Sequence, residues 1–500
     1  MKLIVTEDLK YLRIAEAEEL EMEQLSFSLK KRIRGWFFNP TVKKKLWDGY
    51  VHFCKNNFIP VGLWSEVVKL GETYNFPVEI QGLERIIDTD FNEVDFRKWV
   101  EEFFSDHPKY SPRDYQIDSA AAILKHRLCT SEIATSAGKT LITFLVYGYL
   151  KAKNKVDKMV IVVPNTTLVM QLKDDWEDYN NDKLALKVKQ VYGGSKDNDP
   201  GYDVIVGTFQ SLTKKTLDFY KGVNIVFVDE CHTSKTVSVK TVIEKCKDSV
   251  YRFGLSGTVQ EDNSADFTTI VALLGPMVKS IPPKFLFKEG YATPVKFKVM
   301  VMDYQNEDLK SQLYDVRRGK QMEGSQLLAL EKNIIIQSKA RFQFIMKLAA
   351  GTSKNTLILF SNIKDQYGKK MYDWLRENTD KVCFYVDGSV GQDHRDFYKK
   401  QMEEGENRIL IASFTTFSTG ISIKNIHNIF FTESYKSEII IKQSIGRGMR
   451  QVQGKESFTI VDIVDDLSYN SPNLLYKHGK ARLEMYKQYS SNISIHRVKI

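Results

Sequence analysis

The stretch Ile133-Ala134-Thr135-Ser136-Ala137-Gly138-Lys139-Thr140 lies between the short run Ser131 to Ala134 and the apolar, helix-like segment Leu141 to Leu150. A loop ending in Gly-Lys-Thr and opening a helix is the arrangement that cradles phosphate. Backbone N–H groups at the helix start point at the anion, Lys139 reaches the outer phosphates, and the Thr140 hydroxyl takes Mg2+. Thr135, Ser136, Ala137 and Gly138 would supply that backbone, with Lys139 and Thr140 completing the nucleotide contacts. Ile133 stands where the first glycine of such a loop is usual, and the string alone also fits a loop that merely ends a strand. The surrounding chain has to decide.

Working outward, short Val- and Ile-rich runs alternate with amphipathic stretches. They are Lys158 to Val163, Tyr202 to Gly207, Val223 to Val228 and Tyr251 to Leu255, and again Thr356 to Phe360, Val382 to Val386, Arg408 to Ala412, Asn428 to Phe431 and Phe458 to Ile463. Runs of this kind predict parallel sheets covered on both faces. Two α/β domains in tandem follow, at 106–283 and 284–455, with a small α+β unit at 1–105 before them and a basic extension at 456–500 after them. Pro108 and Pro112 break the helical spacing of Phe91 to Phe104 and mark the first boundary; Pro282-Pro283 marks the second. The stretch Tyr304 to Ala350 reads as mostly helical.

The run Val223 to Val228 ends abruptly in Asp229-Glu230-Cys231-His232. That places two carboxylates at the C-terminal edge of a parallel sheet, where such folds bind ligands. Asp229 would hold Mg2+ through water, and Glu230 would orient or deprotonate the attacking water.

In the N-terminal unit, Lys30, Lys31, Arg32 and Arg34 run into Gly35-Trp36-Phe37-Phe38, followed by Lys43, Lys44, Lys45, Trp47 and Asp48-Gly49-Tyr50. Basic side chains interleaved with rings suit phosphate neutralisation with base or sugar contact, although a solvated basic face over a small aromatic core has the same composition. The formal net charge of +9 favours a polyanion partner. An apolar fraction of 42% with 27% charge excludes a disordered chain. The five cysteines are odd in number and widely spaced, so neither a disulfide framework nor a zinc site is indicated; Cys231, His232 and His427 lack metal-ligand spacing. No apolar run approaches a membrane span, and the acidic turn of the first twenty residues is unlike a signal peptide, so a cytoplasmic protein is expected, in the host cytoplasm if phage-encoded.

Asp229-Glu230-Cys231-His232 resembles the signature of superfamily 2 helicases of the D-E-x-H type, and the other motifs of that superfamily occur in order over residues 112 to 455. Arg113-Asp114-Tyr115-Gln116 is similar to the adenine-reading element, which would set Gln116 on the base edge and Tyr115 or Arg113 on the ring face. Val163-Pro164-Asn165-Thr166 with Gln171, and Gly207-Thr208-Phe209-Gln210-Ser211, resemble the strand-tracking motifs; Pro164, Thr208 and Gln210 are their implied nucleic-acid contacts. Ser256-Gly257-Thr258 resembles the element linking hydrolysis to movement. In the second domain Leu359-Phe360-Ser361 and Asp387-Gly388 with Arg395 fit the expected strand ends, and Ala412-Ser413, Thr416 and Ser418 to Ser422 resemble the motif that faces nucleotide (Gly420) and DNA backbone (Ser413). Gln443-Ser444-Ile445-Gly446-Arg447-Gly448-Met449-Arg450 resembles the final motif, Q-x-x-G-R-x-x-R. Phosphoryl transfer builds charge on the outer phosphate, and an arginine from a neighbouring domain stabilises it, the role implied for Arg447 and Arg450 with Gln443 beside them. The family loop carries T-G-x-G-K-T; Ser136 replaces its first glycine, a form shared by phage helicases of the UvsW type, whose small DNA-binding domain the N-terminal unit also resembles.

The resemblance implies two RecA-like domains, ATP and Mg2+ as cofactors, and a monomeric ATP-dependent DNA helicase or translocase. It further implies branched substrates: fork regression, Holliday-junction branch migration and R-loop unwinding. An RNA helicase, the motor subunit of a restriction system and a non-enzymatic annealing protein with a relic motor are the competing expectations. Intact Lys139, Asp229, Glu230, Arg447 and Arg450 speak against the last.

Overall fold

The computed structural model describes the chain except residues 34, 194–198, 200, 234–235, 258–263, 320–321, 323, 362–365, 421–422 and 435–437. Arg34, Thr258, Ile421 and Ser422, singled out above, lie outside the described residues. The chain forms two compact units, Met1–Ile281 and Pro282–Ile500.

The first unit is built on a seven-stranded, all-parallel sheet. Its spatial order is Met277–Ile281, Leu128–Ile133, Tyr251–Ser256, Val223–Asp229, Lys158–Val163, Val204–Thr208, Val188–Val191. The central strands are buried on both faces, which explains their near-continuous Val and Ile. The helix Lys139–Ala152 buries every residue from Leu141 to Leu150, so its uniform apolarity reflects a helix enclosed on all sides. Gly148 lets Trp99 approach this helix within van der Waals contact, and Trp99 also packs its ring 5.7 Å from Tyr149. Phe103 and Phe104 are thereby core residues of the helix Glu93–Phe104, and half-buried Trp99 packs against Phe103.

Before the large sheet, Phe58–Pro60, Tyr11–Glu16, Lys2–Val5 and Glu79–Gln81 form a small mixed sheet, and Lys30–Arg32 pairs antiparallel with Tyr50–His52. This region does not close a core of its own. Leu3, Leu12, Leu25, Ile59 and Val67 share one cluster with Leu128 and Ala272 of the parallel-sheet layer. Gly62 sits against the Val271 and Ala272 carbonyls, where a Cβ would collide, and buried Arg252 donates to the Leu9 carbonyl. The boundary expected near residue 105 is therefore a seam within one unit.

The second unit carries another seven-stranded parallel sheet, in the order Cys383–Val386, Ile409–Ser413, Thr356–Phe360, Asn428–Phe431, Phe458–Asp466, Val295–Asp303, Ile493–Lys499. The stretch beyond 456, expected as a basic extension, instead supplies two of these strands and the helix Leu474–Tyr486 between them. Val295–Asp303 was hidden by its alternating lysines, which point outward while Val295, Phe297, Val299 and Val301 point into the core. Ile493–Lys499 is a polar edge strand and carries no apolar run to find. The helical stretch 304–350 resolves into the helices Glu307–Arg318, Gly324–Gln337 and Lys339–Ala350.

Candidate active site

The loop after Leu128–Ile133 turns through two residues with positive φ, Ser136 at 72° and Gly138 at 82°. At Gly138 the restriction is steric as well, because a Cβ would run into the Gln116 amide. Lys139 then opens the helix, so the loop amides and the helix N-terminus face the same space.

Lys139 is held there by the strand end. Its ammonium contacts Glu230 Oε1 and lies 3.8 Å from Asp229 Oδ1. Glu230 has φ 48°, a left-handed turn that brings its carboxylate back over the sheet edge, and its N–H donates to Asp229 Oδ1 at 3.0 Å. Glu230 Oε2 accepts from the Gly257 N–H at 3.5 Å and lies 3.5 Å from His232 Nδ1, which also contacts Ser256 Oγ. Gly257 leaves room for Thr135: its missing Cβ would be 3.0 Å from Thr135 Oγ1. Three strand ends, at 133, 229 and 256, thus converge on one charged centre.

Burial dominates the electrostatics. It pushes the Asp229 carboxyl up to about 6, with Lys139 pulling the other way and Glu230 adding to the rise. For Glu230 burial is outweighed by Lys139 and His232, which hold it below the usual carboxylate value. Burial also opposes charge on Lys139, yet Glu230 and Asp229 keep its ammonium above the ordinary lysine value. The centre is a charge-poor pocket holding one cation against two carboxylates. Its donor set, the Asp229 carboxylate with the hydroxyl of Thr140, the second residue of the helix, fits Mg2+ accompanied by phosphate oxygens.

Other expected contacts fall differently. Tyr115 and Gln116 are buried beneath the loop, and both donate to the Ala137 carbonyl, at 2.9 and 3.0 Å. Gln116 Oε1 also accepts from Arg113 N. Their polar groups brace the phosphate loop in this state, leaving Arg113 as the more exposed side chain of the adenine-reading candidates. Thr208 is buried, with its hydroxyl 3.1 Å from Ser211 Oγ, while Gln210 is exposed and Pro164 half-buried. The Ser413 hydroxyl, expected on a DNA backbone, is turned inward onto Thr416 Oγ1 at 2.7 Å and is buried.

In the second unit Gln443 and Arg447 lie on the helix Glu438–Gly448, and Arg450 follows its end; Gly420 closes the helix Phe414–Gly420. The Arg447 guanidinium donates to the Phe417 carbonyl and lies 4.9 Å over the Phe417 ring. Glu433, buried at the end of Asn428–Phe431, accepts from Ser361 N at 2.9 Å and Ser361 Oγ at 2.5 Å. Sequence reading missed Glu433, whose only signal is an acid directly after a buried strand.

The basic stretch of the first unit carries an exposed face. Arg32 stacks between the Trp36 and Tyr50 rings at 4.1 and 4.4 Å, Lys43, Lys44 and Lys45 are exposed, and Lys31 is half-buried. Phe37 and Phe38 are 53% and 69% exposed, with ring centroids 4.2 Å apart, so this is not merely the covering of an aromatic core.

A phosphate loop, a carboxylate pair at a strand end of the same sheet and a second parallel-sheet unit bearing the paired arginines define an ATP-dependent helicase of superfamily 2. Residues 109–261 match the family model of the Type III restriction enzyme res subunit, and residues 340–451 that of the helicase conserved C-terminal domain. The ATP-dependent DNA helicase uvsW of Enterobacteria phage T4 is 30% identical over 508 residues, covering 96% of either chain. The crystal structure of T4 UvsW aligns over 100% of this chain and 99% of its own, at 27% identity and a TM-score of 0.50. The DNA 3'-5' translocase XPB2 of Sulfurisphaera tokodaii is 23% identical, over 79% of this chain and 91% of its own length. The chain belongs to the UvsW family of helicases. Consistent with the sequence, no helix among the described residues is long and apolar enough to cross a membrane, and all five cysteines are free thiols.

Proposed function

We propose that this helicase is a DNA motor for branched substrates, regressing forks, migrating four-way junctions and unwinding R-loops in replication, recombination and repair. The observation that carries this reading is the exposed basic and aromatic face formed by Arg32, Trp36 to Phe38, Lys43 to Lys45 and Tyr50, on the stretch between Leu29 and Phe53, two members of the core shared with Leu128 and Ala272. Such a face offers a second grip on DNA, separate from the strand-tracking loops, as a substrate with more than one arm requires. Arg32, Lys31 and Lys43 to Lys45 are its phosphate contacts. The DNA-helicase activity of the T4 relative supports DNA over RNA.

In this reading the loop amides of Thr135 to Gly138 and the Lys139 ammonium bind the triphosphate. Thr140 and Asp229 hold Mg2+, which supplies charge neutralisation for the phosphoryl oxygens. Lys139 exchanges its carboxylate partner for phosphate oxygens. That exchange releases Glu230 to accept a hydrogen bond from the attacking water and take its proton. Glu230 Oε2 is already tied to Gly257 and His232, so its change of partner is felt along the strand ending at Ser256. Arg447 and Arg450 supply positive charge as it builds on the outer phosphate.

The test compares ATP-dependent unwinding of linear duplex, fork, four-way junction and R-loop by the full chain. Branched substrates are expected to be processed faster than linear duplex of equal length. Equal rates on all four would refute the substrate assignment while leaving the motor intact.

A further inference from the structure

The turn that carries Arg450 is fastened by two side chains from outside the motif. A helix leaves its last carbonyls without intrahelical partners; here Gly448 ends the helix Glu438–Gly448, and Met449 and Arg450 follow it. Thr293 N–H donates to the Met449 carbonyl at 2.8 Å, and Thr293 Oγ1 donates to the Arg450 carbonyl at 3.1 Å. Lys455 Nζ donates to the Gly448 carbonyl at 2.6 Å, the Arg450 carbonyl at 3.3 Å and the Lys424 carbonyl at 3.2 Å. Both side chains are nearly enclosed, Thr293 at 2% exposure and Lys455 at 8%. Gly448 removes the remaining freedom: a Cβ there would collide with the Phe458 ring, so the helix end lies flat on the first residue of its neighbouring strand. Beside the turn lies a cleft of about 430 Å³ lined by Phe287, Pro294 and Val452 among others, space into which an unfastened turn could relax.

We infer that Thr293 and Lys455 are positioning residues that set the direction of Arg447 and Arg450 by capturing three consecutive carbonyls, those of Gly448 at the end of the arginine helix and of Met449 and Arg450 just after it. The inference rests on the proposed role of those arginines in phosphoryl transfer. The effect of Thr293 and Lys455 passes through the backbone of residues 448–450, where a displacement of an ångström is enough to cost rate. Lys455 is replaceable by another long cation, whereas an apolar side chain of similar length leaves buried carbonyls unpaired.

The experiment measures DNA-stimulated ATP hydrolysis of the full chain for Lys455→Met, Lys455→Arg, Thr293→Val and Arg450→Ala, and for Lys455→Met combined with Arg450→Ala, after thermal melts confirm folding. Lys455→Met and Thr293→Val are expected to lower kcat by about 10- to 100-fold with little change in the KM for ATP. Lys455→Arg should recover much of that loss, and Lys455→Met should cost clearly less once Arg450 is already alanine, because only Arg447 is then left to position. If Arg450→Ala is impaired but Lys455→Met and Thr293→Val keep full kcat, the inference fails and the arginine reading survives. A loss from Lys455→Met that adds in full to that of Arg450→Ala also overturns it, because the lysine then acts elsewhere. If Arg450→Ala leaves kcat intact, the underlying reading of Arg450 falls instead.

Discussion

Replacing Arg341 by methionine should unfold the second unit at markedly lower denaturant. Arg341 is 0% exposed and spends its guanidinium on a closed network. Nε donates to Asp465 Oδ1 at 2.6 Å, Nη2 to Asp465 Oδ2 at 2.9 Å and to the Thr432 carbonyl at 2.6 Å, and Nη1 to the Tyr367 hydroxyl at 2.9 Å. Burial disfavours the charge, but Asp465 more than offsets it and holds the guanidinium well above the ordinary arginine range. Methionine fills most of the volume but leaves the buried Asp465 carboxyl without its guanidinium partner, with the Tyr304 hydroxyl still 3.2 Å away. Removing one member of a buried pair costs roughly 3–5 kcal/mol, whereas removing both in favour of apolar groups is often near neutral. Against a typical total of about 5–15 kcal/mol, the single change removes a large share of stability. Urea unfolding reports it through Trp374, the only tryptophan between residues 282 and 500, read as the fluorescence difference from a Trp374→Phe background. Arg341→Met should shift the midpoint strongly, and Arg341→Met with Asp465→Leu should restore most of it. A single variant within about 0.5 kcal/mol of the parent, or a double variant no better than the single, would refute the reasoning. The network also reaches the site: Thr432 stands next to Glu433, which holds Ser361, so a surviving Arg341→Met protein is expected to be slower as well as weaker.

Three further outcomes are expected. Lys139→Ala should reduce ATP hydrolysis to background while fork binding without nucleotide is retained; full hydrolysis in that variant would remove the loop from the chemistry. Replacing Lys43, Lys44 and Lys45 together by glutamine should weaken fork binding and flatten its dependence on log salt by about 2 to 3 in slope, since each phosphate contact contributes about 0.9; an unchanged slope would place DNA elsewhere. His427 has its pKa pushed down to about 4 by burial, with the Lys455 and Lys354 charges adding, so the folded protein keeps it neutral. Its stabilising share is complete above about pH 6.5 and is lost as pH falls towards 4, up to roughly 1–2 kcal/mol after allowance for its partial exposure. Melts of His427→Asn should lack that acid-side slope, and an identical pH profile for the two proteins would contradict it.

The motor was legible because phosphate chemistry constrains residue type and order together: Gly138-Lys139-Thr140 and Asp229-Glu230 each follow a strand that an apolar run had marked, while Arg447 with Arg450 stood out only by the order of the motifs. Polarity hid the rest. Val295–Asp303 and Ile493–Lys499 escaped notice because strands with an exposed face or an open edge lack the continuous apolar run of a central strand. The burial of Tyr115, Thr208 and Ser413 was equally invisible, since a hydroxyl or amide at a motif position reads the same whether it faces a ligand or braces a turn. Thr293 and Lys455 had no local signal, because what they hold is backbone far along the chain.

The core shared by the first hundred residues with Leu128 and Ala272 has a consequence for synthesis on the ribosome. Residues up to Ile86 emerge with Leu3, Leu12 and Ile59 unable to find their last partners until some 190 further residues have been made. At about 5–20 residues per second that interval is roughly 10–40 s. During it the nascent chain presents an incomplete sheet and an apolar surface, which makes the N-terminal segment a natural client for chaperones. Overexpression at low temperature, where elongation slows, should therefore trap soluble protein less efficiently unless such help is supplied.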